Sequence, residues 1–221
     1  MRIISGNFKG KKINLPENQL TRPLKDIVKE SVKQKLSSLT IYAFSSENWN
    51  RPKTEVTAIK KLVVDAINDQ VPELKEQKVR LKFFGHTNDF GKKVIDKIRY
   101  AEEKTYIKNS KLDLNVALGY GGKQDLVDIV KSISANVLDK KIKLNDINED
   151  MLHDASSVPV KEIDLLIRTG GDKRISNFLL YQIAYAEIIF VKKYWPDFNN
   201  KDFLKCLNDF KKVDRRFGKR S

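Results

Sequence analysis

Short apolar runs alternate with helix-length amphipathic stretches along most of the chain, and that alternation admits few architectures. Residues 36–45 (LSSLTIYAFS), 79–85 (VRLKFFG), 112–120 (LDLNVALGY), 163–169 (IDLLIRT) and 187–191 (EIIFV) have the length and the β-branched or aromatic content of buried strands. Between them Val56, Ile59, Leu62, Val63, Ala66 and Ile67 recur at helical spacing, as do Val94, Ile98 and Ala101. Leu126, Ile129, Val130, Ile133 and Val137 mark a third helix, and 176–186 and 201–213 read as two more. The pattern predicts an α/β protein, a single domain whose largely parallel central sheet is flanked by helices on both faces. Ligands of such sheets sit at the carboxyl ends of the strands. That places 45–51, 119–122 and 168–176 on one rim.

Composition narrows the possibilities further. At 221 residues, with 40% hydrophobic and 33% charged residues, one sizeable core is expected. No apolar run nears the roughly 18 residues that a membrane span needs, and the opening MRIISGNFKGKK is too short in apolar residues for a secretory signal. Cys206 is the single cysteine, which excludes a disulfide framework and suits the cytoplasm; its place is the buried face of the last helix. His86 and His153 have no metal-ligand spacing. The net charge of +14 favours anionic partners, either phosphorylated substrates, nucleic acid or acidic lipid, or else reflects a lysine-rich solvated surface.

Two loops carry candidate chemistry. In RTGGDKRISN, Arg168 leaves a strand tip, Gly170 and Gly171 permit a sharp turn, and Arg174 and Ser176 follow. Two guanidinium groups, a hydroxyl and free backbone N–H groups at a helix start would form a diphosphate cradle. In SSENWNRP, hydroxyls, an amide, a carboxylate, a tryptophan and Arg51 offer another phosphate contact with an aromatic wall, or simply a polar turn stopped by Pro52.

LTIYAFSSENWNRPKTEV, LNVALGYGG, IDLLIRTGGDKRISNFLLYQIAYAEIIFVKKYWPDF and the ending DRRFG resemble the undecaprenyl diphosphate synthase branch of the cis-prenyltransferase family, over about residues 36–218. The resemblance implies a transferase that condenses isopentenyl diphosphate with an allylic diphosphate of the farnesyl type. Its product would be a long cis-polyprenyl diphosphate, the precursor of a cell-wall lipid carrier, handed to the membrane. Arg168, Arg174, Ile175 and Ser176 would hold isopentenyl diphosphate, with Ser45, Ser46, Glu47, Trp49 and Arg51 lining the pocket. Asn48 would assist proton removal. Glu187 would help hold Mg²⁺, and Arg216 and Gly218 would reach the neighbouring subunit of a homodimer. Apolar helix faces would wall a tunnel for the growing chain. The expected location is cytoplasmic, peripheral to the inner face of the membrane.

The first 32 residues depart from that family. Its opening DGNGRWA loop, whose aspartate holds Mg²⁺, is missing; one alignment sets Ser5-Gly6-Asn7 over Asp-Gly-Asn. RIISGNFKGKK and TRPLKDIVKES resemble instead the start of the small-subunit ribosomal RNA guanine-N2 methyltransferases, without that family's catalytic or cofactor-binding motifs. Residues 1–32, with seven Lys/Arg against three Asp/Glu, are therefore expected as an atypical, basic, loop-like segment ahead of a prenyltransferase domain over 33–221. Two alternatives to an active enzyme follow. One is an impaired family member that binds isopentenyl diphosphate and dimerises. The other is an RNA-binding remnant acting through the basic arm, although nucleic acid is not the expected partner. Asp172 stands where the family has glutamate and is expected to cap its loop, with reaching a metal as the alternative, and Gly119 and Lys123 replace common asparagine and arginine.

Overall fold

The computed structural model describes residues 2–5 and 17–215, with side chains from Pro23 onward. Strand β1 (Arg2–Ser5) leads to helix α1 (Glu17–Lys33), then β2 (Ser38–Ser45), α2 (Lys53–Glu76), β3 (Val79–Phe84) and α3 (Lys92–Thr105). These are followed by β4 (Leu112–Tyr120), α4 (Gly122–Leu138), α5 (Glu149–Ala155), β5 (Leu165–Arg168), β6 (Glu187–Phe190) and α6 (Asn200–Phe210). The strands form one sheet in the order β3-β4-β2-β1-β5-β6, and every pairing is parallel. All carboxyl ends therefore share one edge. β2 and β5 lie on opposite sides of β1, so the end of β1 is where the winding changes direction, the usual place for a ligand in such sheets.

Alternating side chains send the strands' apolar residues to both faces. On one face Leu39, Ile41, Leu114, Leu165 and Ile167 pack with Ile27, Val64, Ile67, Ile98, Phe203 and Leu207 of α1, α2, α3 and α6. The apolar faces of α2 and α3 are packed into this cluster. On the other face Tyr42, Phe84, Ala117, Tyr120 and Leu166 meet Val158, Ile163, Phe178, Leu179 and Ile183. Cys206 lies buried on α6, and burial pushes its thiol up to about 11, an inert structural cysteine.

The structure departs from the sequence reading in three places. The opening segment is not loop-like: β1 fills the slot between β2 and β5, and α1 buries Ile27, Val28 and Ser31. Pro16 and Pro23 disguised the helix, since proline lacks the N–H that a helix interior needs. α2 runs on through Pro72 to Glu76, beyond the helical spacing that ends at Ile67. The third departure is at 176–186, which forms turns rather than a helix. Ser176, Asn177 and Leu179 have φ of 50°, 60° and 48°, and left-handed residues cannot propagate a right-handed helix.

Ile27→Ala tests whether α1 is structural. With Ile27 fully buried, urea unfolding should show a loss of about 3 kcal/mol, within the range for large-to-small core changes. A peripheral arm would lose almost nothing.

Candidate active site

The loop after β5 opens with a buried cation. Arg168 ends the strand at 6% exposure, and its Nη2 donates to Asp172 Oδ2 at 3.3 Å. Among the described residues its Nε has no partner, and neither has the buried hydroxyl of Thr169, the next residue in the chain. Burial pushes the Arg168 pKa down and the Asp172 carboxylate opposes it; a guanidinium remains charged in either case. Arg174 Nη2 donates to the same Asp172 oxygen, at 2.5 Å. The two arginines thus meet on one carboxylate, and Asp172 does more than cap the loop.

The glycines act differently from the cradle reading. Gly170 N–H donates to the Lys193 carbonyl and Gly171 N–H to that of Val191, so both are committed to the chain beyond β6. No helix starts here to supply others. These two N–H groups are therefore not offered to an anion, and the side chains of Arg168 and Arg174 are the charged donors at this loop. Ile175 is half-buried against the smaller core cluster, and Ser176 takes its left-handed conformation immediately after it.

The loop after β2 is a 3-10 turn, Ser46–Asn50, following register irregularities between Tyr42 and Ser45. Asn48 Oδ1 accepts from the Ser45 N–H at 3.0 Å, so its amide oxygen serves the turn. Trp49 packs edge-on to Phe44 and Phe90, with ring centroids 4.9 and 4.8 Å apart, and Lys60 Nζ lies 5.0 Å from its ring centre. It anchors the loop to the core instead of standing as an open wall. Arg51 is ion-paired with Glu55 at the start of α2 and is not brought to the Arg168–Arg174 pair by any contact described.

Asn177, which the sequence reading passed over, ties the loops together. Its Nδ2 donates to Glu47 Oε1 at 2.7 Å, and its Oδ1 accepts from Lys123 N–H at 2.8 Å. Its carbonyl accepts from Gly122 N–H at 2.7 Å. Side chains reach so close to Gly121 that an added Cβ would lie 2.3 Å from Ser46 Oγ and 2.9 Å from Asn177 Nδ2. The ends of β2, β4 and β5 are therefore joined around one asparagine. Only its place in SNF and a tolerance for left-handed φ hinted at this. Burial works to raise the Glu47 pKa, but hydrogen bonds from Asn177, its own backbone, Ser45 and Ser46 outweigh it and hold the carboxyl below its ordinary 4.5.

Ser5 ends β1 between Ile41 and Ile167, at the winding switch and between the β2 and β5 loops. Gly6 and Asn7 lie outside the described residues, as do Arg216 and Gly218. Glu187 is not on this edge of the sheet. It opens β6 opposite Leu165, whereas Arg168 pairs with Phe190, so three residues, roughly 10 Å, separate the two levels.

Magnesium prefers anionic oxygen ligands in near-octahedral geometry. Here Asp172 is held between two arginines, Glu47 accepts from Asn177, and the central strand ends in a neutral serine. Among the described residues, no group of three or more His, Cys, Asp or Glu could hold a metal ion. The described residues do not by themselves fit a protein-held Mg²⁺.

A parallel α/β sheet with paired arginines at its carboxyl edge has the charge and the placement of a site for phosphorylated ligands. The chain belongs to the prenyltransferase family of undecaprenyl diphosphate synthases, whose sequence pattern it matches over residues 10–218, and it is a transferase of the cis-prenyltransferase type. It is 44% identical to the farnesyl-diphosphate-specific ditrans,polycis-undecaprenyl-diphosphate synthase of Escherichia coli K12 over 184 residues, covering 83% of this chain and 72% of the relative. It is 41% identical to an isoprenyl transferase of Clostridium perfringens over 222 residues, covering 98% and 87%. Its fold superposes on lavandulyl diphosphate synthase from Lavandula x intermedia, in complex with dimethylallyl diphosphate, with a TM-score of 0.91, 28% identity and coverage of 99% and 97%. The crystal structure of a probable undecaprenyl diphosphate synthase from Campylobacter jejuni matches with a TM-score of 0.81, 29% identity and coverage of 98% and 96%.

Two outcomes check this geometry. Gly121→Ala should destabilise the rim by forcing Ser46 and Asn177 apart, seen as a lower melting temperature and reduced activity together. For Glu47, whose folded pKa is depressed, the stabilisation is present above 4.5 and is lost as pH falls through the lowered folded value. Melting curves should therefore fall more steeply with acidification in the wild type than in Glu47→Gln.

Proposed function

We propose that the protein condenses isopentenyl diphosphate with an allylic diphosphate of the farnesyl type, and extends it to a long cis-polyprenyl diphosphate for use as a cell-wall lipid carrier. The observation that carries this reading is Arg168: a guanidinium buried at the ligand edge, one N–H unpartnered, with Arg174 beside it. Burial strengthens any charge-assisted bond it makes to a diphosphate oxygen. Arg168, Arg174 and Ser176 hold the diphosphate of isopentenyl diphosphate, so that its double bond is fixed toward the allylic carbon. The allylic C–O bond breaks, its electrons leave with diphosphate, the double bond supplies the new C–C bond, and a proton is lost. Donors fixed around the departing negative charge lower that barrier. The Asn48 oxygen turned to Ser45 N–H must be released before that amide can take part in proton removal.

Magnesium, on this reading, would be held largely by the substrates' own diphosphates, where it would offset the negative charge of the leaving group. A homodimer is part of the proposal. Its support is the open outer edge of β6, where Ile188, Phe190 and neighbouring Tyr185 are exposed. No described helix is long and apolar enough to cross a membrane, and product would be passed to the bilayer from a peripheral position.

The neutral residue at the end of β1 favours a second reading, an impaired family member that binds isopentenyl diphosphate without turnover. Folded protein incubated with farnesyl diphosphate, labelled isopentenyl diphosphate and Mg²⁺ separates the two. Long labelled chains are expected, and incorporation no higher than a protein-free blank would leave only the second reading. Arg168→Ala should cut incorporation about 100-fold, the usual loss when one fixed donor to a developing charge is removed. Ser5→Asp should raise it, because it restores a carboxylate to the strand end flanked by both loops.

A further inference from the structure

The β5 loop carries its own anion. One oxygen of Asp172 accepts from both Arg168 Nη2 and Arg174 Nη2, the two groups assigned above to diphosphate. Several features make this carboxylate a poor permanent partner. Its bond to Arg168 is 3.3 Å, longer than the ~2.8 Å of a good charge-assisted pair. It leaves Arg168 Nε without a partner among the described residues, so the donors of the two guanidinium groups outnumber what a single shared oxygen can satisfy. A diphosphate, with several charged oxygens, could meet them all.

The loop is also built to let Asp172 go. Its side chain is 37% exposed, against 7% for that of Arg168. It follows Gly170 and Gly171, whose φ values of 93° and 78° carry the chain away from the strand while their N–H groups stay tied to Lys193 and Val191. Rotation of Asp172 into water disturbs neither β5 nor those anchors.

We propose that Asp172 is a resident stand-in for diphosphate. In the free protein it aligns Arg168 and Arg174 and offsets part of their charge, and an incoming diphosphate displaces it. The inference rests on the cradle being the diphosphate site. Its consequence is a filter: a ligand must outcompete a carboxylate already held at high effective concentration, which weakly charged anions cannot do.

Calorimetric titration of the full chain with inorganic pyrophosphate tests both layers. Asp172→Asn should bind pyrophosphate roughly fivefold tighter or more, a coupling of ordinary size, and Asp172→Ser should do the same. In an Arg174→Ala background the gain should shrink to less than about twofold, because only one of the two held arginines is left to be freed. Unchanged or weaker binding by both Asp172 variants overturns the stand-in role. So does an equal gain with and without Arg174, which would mark simple long-range repulsion. Arg168→Ala that binds pyrophosphate as well as wild type would instead sink the diphosphate-site reading itself, whatever Asp172 does.

Discussion

A positive charge held out of water at the edge of the sheet is the constraint on which the site depends. Arg168 is the last residue of β5, and its burial is unfavourable unless its donors are met. Among the described residues only Asp172 meets one of them directly, and an unsatisfied buried donor costs of order 1–3 kcal/mol. A ligand rich in anionic oxygen would recover that cost, so the proposed affinity would come from a deficit left in the folded protein. The parallel sheet makes the arrangement useful, because it delivers the ends of β1, β2, β4 and β5 to the same edge.

Around that charge the loops are held by close approach more than by apolar contact. Asn177 bonds to Glu47, Gly122 and Lys123 at once, and Gly121 admits Ser46 and Asn177 only because it lacks a side chain. Beneath this knot Tyr42 stacks on Phe178, with centroids 4.0 Å apart, and donates its hydroxyl to the Tyr120 carbonyl. Left-handed backbone at Ser176, Asn177 and Leu179 lets the chain double back over the edge where a helix would have carried it away. Rigidity of this kind serves a reaction in which two diphosphates must be kept in register.

Much of this was legible beforehand because it is local. The strands from Ser38 to Phe190 announced themselves by apolar runs of the right length, and Arg168, Arg174 and Ser176 by their loop. What escaped notice depends on partners distant in sequence. Glu47 and Asn177 are 130 residues apart, and nothing in SENW reveals which amide will meet it. β1 has four residues and is a strand only because β2 and β5 flank it. Glu187 matched a family motif, yet the register of β6 sets it at the opposite end of the strand from the Arg168 level. Family resemblance supplied roles that pattern could not, and three-dimensional register decided which of those residues the chain brings together.

The most direct test is a crystal structure of the protein soaked with inorganic pyrophosphate. The account predicts phosphate oxygens about 3 Å from Arg168 Nε and the Arg174 guanidinium, with Asp172 turned toward solvent. Pyrophosphate bound elsewhere, with Arg168 and Arg174 still sharing the Asp172 carboxylate, would contradict it.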